Sequence, residues 1–356
     1  MLEFTEEQRL IRSEIENLCA DFEDEYWREK DRNAEYPMDF VQTLGDHGWL
    51  GTVIPEEYGG AGLDTLEASI ILEEIVASGA GFNGSMACHG AMFIPRSLIN
   101  YGSEEMKEEY LPKVASGEEL MQCFALTEPN AGFDSTAITT RAEKEGDHYV
   151  INGQKTWCSR LHASDYMVLV ARTTPKEEVD KKTDGMSLFL VDINDAKAQD
   201  AIDADEIEKN IRAAVPSYEV WFEDLEVPAE NLIGEEGRGF HQVMDGLNEE
   251  RVVIAAEAVG LARRRIRRRT GGVRPPDRVE SGDSTPPRRS VRPDDQRSEH
   301  HVPGRQSVQR GQRRRRGGER LRLHGSRGGL GGDGRRRPDA RRLRRRDGVR
   351  RRTLLP

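Results

Sequence analysis

Two short segments carry residue types suited to holding a ligand. Phe124-Ala-Leu-Thr-Glu-Pro-Asn-Ala-Gly-Phe-Asp134 ends a strand-like run near Thr127 and then turns on Pro129 and Gly132. Backbone N–H groups in such a turn, with a threonine hydroxyl beside them, suit an acceptor-rich ligand edge or a phosphate. Lys155-Thr-Trp-Cys-Ser159 follows an Asn-Gly pair. There Trp157 is either core or a wall for a planar group. Taken singly, each segment reads first as an ordinary strand-to-loop turn or a core tryptophan. The histidines His47, His89, His148, His162 and His241 form no cluster in sequence, and no metal-ligand spacing is present. The glycines at 59–62 and 271–272 do not follow strands in a dinucleotide fingerprint.

The surrounding elements change period along the chain. Residues 1–120 read as an all-helical domain. Thr5-Glu-Glu-Gln8 fits a capping box, and Leu10, Ile11, Ile15, Leu18, Cys19 and Phe22 follow at helical spacing. Pro55 to Gly62 is a loop, and Asp64 and Glu67 open a helix carrying Leu66, Ile70, Ile71 and Ile75. Phe82 to Ile94 reads as a buried helix, which Pro95 kinks or succeeds with another. Residues 121–228 read as a middle β-domain. An Asn152-Gly153 hairpin is expected there, with strands over Tyr166–Val170, Met186–Val191 and Tyr218–Phe222, and Pro228 as its close. Short strands at this density predict a small antiparallel barrel or sandwich. Phe240 to Leu261 returns to helical spacing, so residues 229–262 begin a second helical part, and the fold class is α+β.

Charge divides the chain near Ala262. Residues 1–262 carry 21 Lys+Arg against 54 Asp+Glu, a net −33, while residues 263–356 carry 32 Arg against 10 acids, a net +22. The acidic part argues against nucleic-acid binding by that part. It fits a heavily hydrated surface in a salt-rich cytoplasm, where screening relieves self-repulsion. A melting temperature that rises with added salt is the expected result. The last 94 residues contain no Lys, Asn, Phe, Tyr, Trp, Met or Cys. Such a composition buries too little apolar surface to offset ordering entropy, so 263–356 reads as a disordered Arg/Gly/Pro tail. The plentiful residue types have GC-rich codons, a pattern that a GC-rich gene read out of frame would produce. Cys19, Cys88, Cys123 and Cys158 read as isolated buried thiols of a reducing compartment. The polar N-terminus and the absence of an 18-residue apolar run predict no targeting signal and no membrane span.

Several spaced motifs resemble the acyl-CoA dehydrogenase family. They are Pro55-Glu-Glu-Tyr-Gly-Gly-Ala-Gly-Leu63, Ala125-Leu-Thr-Glu-Pro129, Ala131-Gly132, Gly153-Gln-Lys-Thr-Trp157 and Pro228-Ala-Glu-Asn-Leu-Ile-Gly234, in that order. The resemblance spans residues 3–262. It implies FAD bound on the face of the middle domain, with Phe124, Leu126 and Thr127 lining the flavin and Trp157 and Ser159 in a second contacting segment. Phe133 stands where the family has a small hydroxyl that contacts cofactor or acyl-CoA.

The reaction implied is α,β-dehydrogenation of an acyl-CoA thioester, which needs a desolvated carboxylate base and a polarised carbonyl. Gly246-Leu-Asn-Glu-Glu-Arg251 resembles the branch that carries its base on a helix. That makes Glu250 the base, with Asn248 and Arg251 near the substrate. Composition alone reads the same residues as an exposed acidic turn, and another branch of the family carries its base on a C-terminal loop. The resemblance also implies an electron-transferring flavoprotein as partner and a dimeric or tetrameric assembly through a helical bundle. Two alternatives stand beside it: a non-catalytic, frame-shifted remnant, and a binding protein whose Arg-rich arm engages RNA or other anions.

Overall fold

The computed structural model describes residues 4–269. Seven helices come first: α1 (Glu6–Ala20), α2 (Asp24–Asn33), α3 (Met38–Asp46), α4 (Thr65–Ile75), α5 (Gly81–Cys88), α6 (Pro95–Tyr101) and α7 (Glu104–Ser116). The capping box at Thr5 is formed with Gln8, and a second one joins Asp64 to Glu67 at the start of α4. Ile11, Ile15 and Leu18 bury one stripe of α1 together with Cys19, whereas Leu10 faces solvent. This stripe meets Ile71, Leu72 and Ile75 of α4 in one apolar cluster with Trp27 and Phe40.

The expected helix over 82–94 is broken. It stops at Cys88, continues as a 3-10 turn over His89–Met92, and Pro95 then occupies the first turn of α6. The reason is a close approach to the sheet. A Cβ on Gly90 would lie 2.7 Å from the carbonyl oxygen of Gln122, so the chain tightens to bring a glycine there.

The sheet comprises β1 (Met121–Ala125), β2 (Arg141–Glu145), β3 (His148–Ser159), β4 (Tyr166–Arg172), β5 (Met186–Asp192), β6 (Ile202–Glu206), β7 (Ser217–Pro228) and β8 (Leu232–Ile233); the short helix α8 (Ile193–Ala198) follows β5. Its order is β6-β7-β3-β2-β4-β5-β8, with β1 paired to β4 off that path. The expectation of a closed antiparallel barrel is corrected here. The path ends on two free edges, and β1 and β2 both pair with β4 in parallel. Both edges are unattractive to further strands: β6 carries Asp203, Asp205 and Glu206, and β8 has two residues.

The Asn152-Gly153 hairpin is also overturned. β3 runs straight through both residues, its pairing with β7 shifts register between Ile151 and Gly153, and the turn from β2 lies instead at Gly146. Gly153 has φ +154, and a Cβ there would lie 2.5 Å from Thr140 Oγ1. The glycine therefore marks a β-bulge, which has the same local requirement as a hairpin turn.

A long helix, α9 (Gly239–Arg269), follows. It places Val253 in the cluster of α1 and α4, and Val243 in a second cluster with Phe93, Leu98, Met121 and Leu188. The break in composition at residue 263 falls inside this helix. Residues 263–269, expected as disordered tail, are helical instead. Arg263 pairs with Glu73 and Glu74, Arg264 with Asp24 at 2.6 Å, and Arg267 with Glu16 at 3.7 Å. The acidic helical domain supplies the countercharge that keeps these arginines in the helix. The remaining expectation for the tail, residues 270–356, lies outside the described residues. Among the described residues no helix is long and apolar enough to cross a membrane, and the four cysteines are buried and free.

Candidate active site

The turn after β1 is built around a buried ion pair. Lys155 Nζ donates to Glu128 Oε1 at 2.8 Å and to the carbonyl of Leu126 at 3.0 Å. Glu128 also accepts from Thr139 N (2.7 Å), Thr139 Oγ1 (2.9 Å) and Thr140 N (2.9 Å). Burial opposes charge on both groups. Lys155 nevertheless outweighs it for Glu128, whose carboxyl lies below the ordinary value, while the more deeply buried Lys155 ammonium is pushed down and only partly restored by Glu128. The bond count argues that both stay charged at neutral pH, because every polar atom of the pair has a partner. Neither residue was singled out by type or spacing, although both lie inside the quoted motifs.

This clamp fixes β3 against the turn, and Thr156 N donates to the carbonyl of Thr127 at 2.8 Å. Trp157 then sits in a second bulge of β3, between Lys155 and Cys158, with φ +64 and 56% of its surface exposed. A bulky residue in the left-handed region is strained, and it persists only where its surroundings dictate it. Phe124 and Leu126 are half-buried and pack against the cluster that includes Phe240 and Leu247 at its margin. Ser159 is tied to Ser217 by a 2.8 Å hydroxyl contact. A half-exposed apolar strip, a threonine and a projecting indole together suit a planar ring with polar edges.

On α9 the two adjacent glutamates have different partners. Glu249 Oε2 lies 2.9 Å from Arg96 Nε, on α6. Glu250 Oε1 lies 3.7 Å from Nε2 of His89, which is 2% exposed. The His89 ring meets Phe93 at 5.3 Å, and Phe93 meets Phe124 at 6.4 Å, both edge-on. A chain of contacts thus runs from Glu250 to β1. Asn248 and Arg251 are exposed and hydrogen-bonded to each other rather than to this chain. Phe133 is fully exposed and stands apart from it. His89 was not legible as a partner, because it lies on a distant segment.

Two family models match in order. The acyl-CoA dehydrogenase N-terminal domain covers residues 5–118, and the acyl-CoA dehydrogenase middle domain covers residues 123–225. The chain belongs to the acyl-CoA dehydrogenase family. Among its relatives is the cyclohex-1-ene-1-carbonyl-CoA dehydrogenase of Syntrophus aciditrophicus, 38% identical over 271 residues, which cover 75% of this chain and 63% of that protein. The structure of a glutaryl-coenzyme A dehydrogenase in complex with glutaryl-CoA aligns with a TM-score of 0.66 at 32% identity, over 74% of this chain and 65% of that one. The crystal structure of an FAD-dependent dehydrogenase aligns with a TM-score of 0.67 at 26% identity, over 76% and 68%. The chain spans about two thirds or less of the length of the curated relatives it matches, 63% and 66% in two of them. The out-of-frame reading of residues 263–356 gains no support from these matches.

Proposed function

We propose that this acyl-CoA dehydrogenase family member removes the α-proton of an acyl-CoA thioester with Glu250 while a hydride leaves the β-carbon, giving the 2-enoyl-CoA. The observation that carries the reading is the connected set of side chains from Glu250 through His89 and Phe93 to Phe124; the indole of Trp157 is exposed separately on β3. In this reading residues 1–120 form the helical domain, 121–228 the flavin-face domain and 229–262 the start of the C-terminal bundle.

The residues present fit FAD. Phe124, Leu126 and Thr127 would hold one side of the flavin, with Trp157 and Ser159 as the second segment. FAD supplies the two-electron acceptor. The protein's own part is to hold the thioester, exclude water and take the proton on a Glu250 oxygen. Arg96 occupies Glu249 and so leaves Glu250 as the available carboxylate. Asn248 and Arg251 would contact substrate, and Phe133 would meet the cofactor or acyl-CoA from its exposed turn. An electron-transferring flavoprotein is the proposed electron acceptor. Val252, Ile254, Val259 and Leu261 are exposed on α9, and this supports assembly through that helix.

The test is direct. Purified protein should carry the absorption spectrum of bound flavin, and anaerobic addition of acyl-CoA should bleach it. Protein that binds FAD without bleaching by any of a series of short, branched and long acyl-CoAs would sink the reading. Trp157→Ala should weaken FAD affinity about fivefold to tenfold in a fluorescence titration, the worth of one aromatic contact. The urea midpoint should barely move, because the side chain is half exposed. Unchanged FAD affinity would remove Trp157 from the flavin wall.

A further inference from the structure

Glu250 shares its helix face with a second carboxylate. Glu257 lies seven residues, two turns, further along α9 and is fully buried. His89 sits between the two, with Nδ1 3.2 Å from Glu257 Oε1 and Nε2 3.7 Å from Glu250 Oε1. The fourth charge in this neighbourhood is Arg160, buried just after β3, whose Nε donates to the Gln122 carbonyl and Nη1 to the Met86 carbonyl, both at 2.9 Å. Arg160 in turn faces the Tyr36 phenol and the Cys88 and Cys123 thiols, all three of which burial pushes up and so keeps neutral.

These charges explain the histidine. With their formal charges, two carboxylates and one guanidinium sum to −1, and a proton on His89 brings the set, in which Glu250 is partly exposed, to zero. Burial opposes that proton, but the nearby carboxylates of Glu250 and Glu257 outweigh it and hold His89 above the ordinary histidine value. A group raised in this way contributes fully below its unfolded value, and the contribution is lost as pH rises through the folded value.

We propose that His89, anchored by Glu257, is the positioning residue of Glu250: its ring nitrogen faces the carboxylate and holds it in one rotamer. This rests on the reading of Glu250 as the base. The pair to Glu257 holds the ring while Glu250 changes charge, as a second carboxylate holds a catalytic imidazole elsewhere. Glu257 touches neither substrate nor cofactor in this scheme.

The experiment uses the full-length protein with 15N-labelled histidine. The signal of His89 is assigned by its loss in His89→Gln. Both ring nitrogens should be protonated at neutral pH, and the titration midpoint should fall in Glu257→Gln. In the same variant kcat should drop about tenfold with KM unchanged, and the high-pH limb of its kcat profile should move down together with the NMR midpoint. His89→Gln should keep a donor for Glu257 yet lose that limb, which covers the case in which Glu257→Gln does not fold. An ordinary His89 titration, or kcat profiles in both variants that match the unaltered protein, would overturn the proposal. Full dehydrogenation by Glu250→Gln would instead overturn the reading of the base. An inactive Glu250→Gln beside an unaltered Glu257→Gln profile would overturn the positioning role alone.

Discussion

Glu250→Gln should lower the rate of acyl-CoA dehydrogenation by about 10² to 10⁴-fold, the usual worth of a positioned general base. That corresponds to roughly 3–5 kcal/mol of lost transition-state stabilisation. Glutamine keeps the volume of the side chain and a polar group facing His89, so flavin content and the urea midpoint should stay close to those of the parent. What it loses is the capacity to accept the α-proton. The neighbouring substitution is the control. Glu249 is held by Arg96 at 2.9 Å, and Arg96 also reaches Asp64 at 3.6 Å. Glu249→Gln should therefore cost less than about tenfold, and mostly in substrate affinity. Stopped-flow bleaching of the flavin under anaerobic conditions measures both. Equal loss in the two variants, or a larger one for Glu249→Gln, would mean that the helix carries charge rather than the base.

The assignment turns on a distinction that sequence alone leaves open. Two adjacent glutamates on an acidic helix read equally as a solvated turn. In the fold they diverge, because one side of α9 faces α6 and Arg96 while another faces the turn that carries His89. A residue's role here is set by which segment its helix face meets, and those segments are separated by 168 residues in the case of His89 and Glu257.

The same physical difference accounts for what was legible and what was not. The capping box at Thr5, the helix start at Asp64 and most of the apolar stripe of α1 depend on neighbours within a turn or two, and the sequence reveals them, whereas Pro95 reads as either a kink or a new helix. Runs of strand formers located β4, β5 and β7 for a similar reason. Pairing did not follow from those runs. The parallel partnership of β1 with β4 requires a crossover between distant segments, and no local window carries it. Asn152-Gly153 gave the wrong reading because a bulge and a hairpin turn ask for the same backbone freedom. The site residues of the motif segments were named from a resemblance. Their geometry, above all the strained Trp157 and the pairing of Lys155 with Glu128, came only with the fold. The boundary at residue 263 shows the limit of composition: seven further residues of the Arg-rich stretch are held in α9 by acids of α1, α2 and α4.

Lys155→Met should destabilise the protein by about 3–5 kcal/mol, the typical cost of removing one partner from a buried ion pair. Glu128 would remain 5% exposed with only the Thr139 and Thr140 donors to balance its charge. Glu128→Gln should cost a similar amount, because it leaves the fully buried Lys155 ammonium without its countercharge and with neutral acceptors alone. The acid limb separates the two. Glu128 titrates below its ordinary value, so its contribution is present above the unfolded value and is lost as pH falls through the lowered one. Denaturant midpoints measured from pH 7 down to pH 3 should fall for the parent protein and fall less for Glu128→Gln. The loss should also reach the flavin face. Lys155 Nζ holds the Leu126 carbonyl, and the adjacent Thr156 N–H holds that of Thr127, so releasing the lysine frees the turn proposed to line the cofactor. FAD affinity should therefore drop in Lys155→Met even at temperatures where the variant is fully folded. A variant that loses stability but binds FAD as tightly as the parent would confine the clamp to the sheet and separate it from the site.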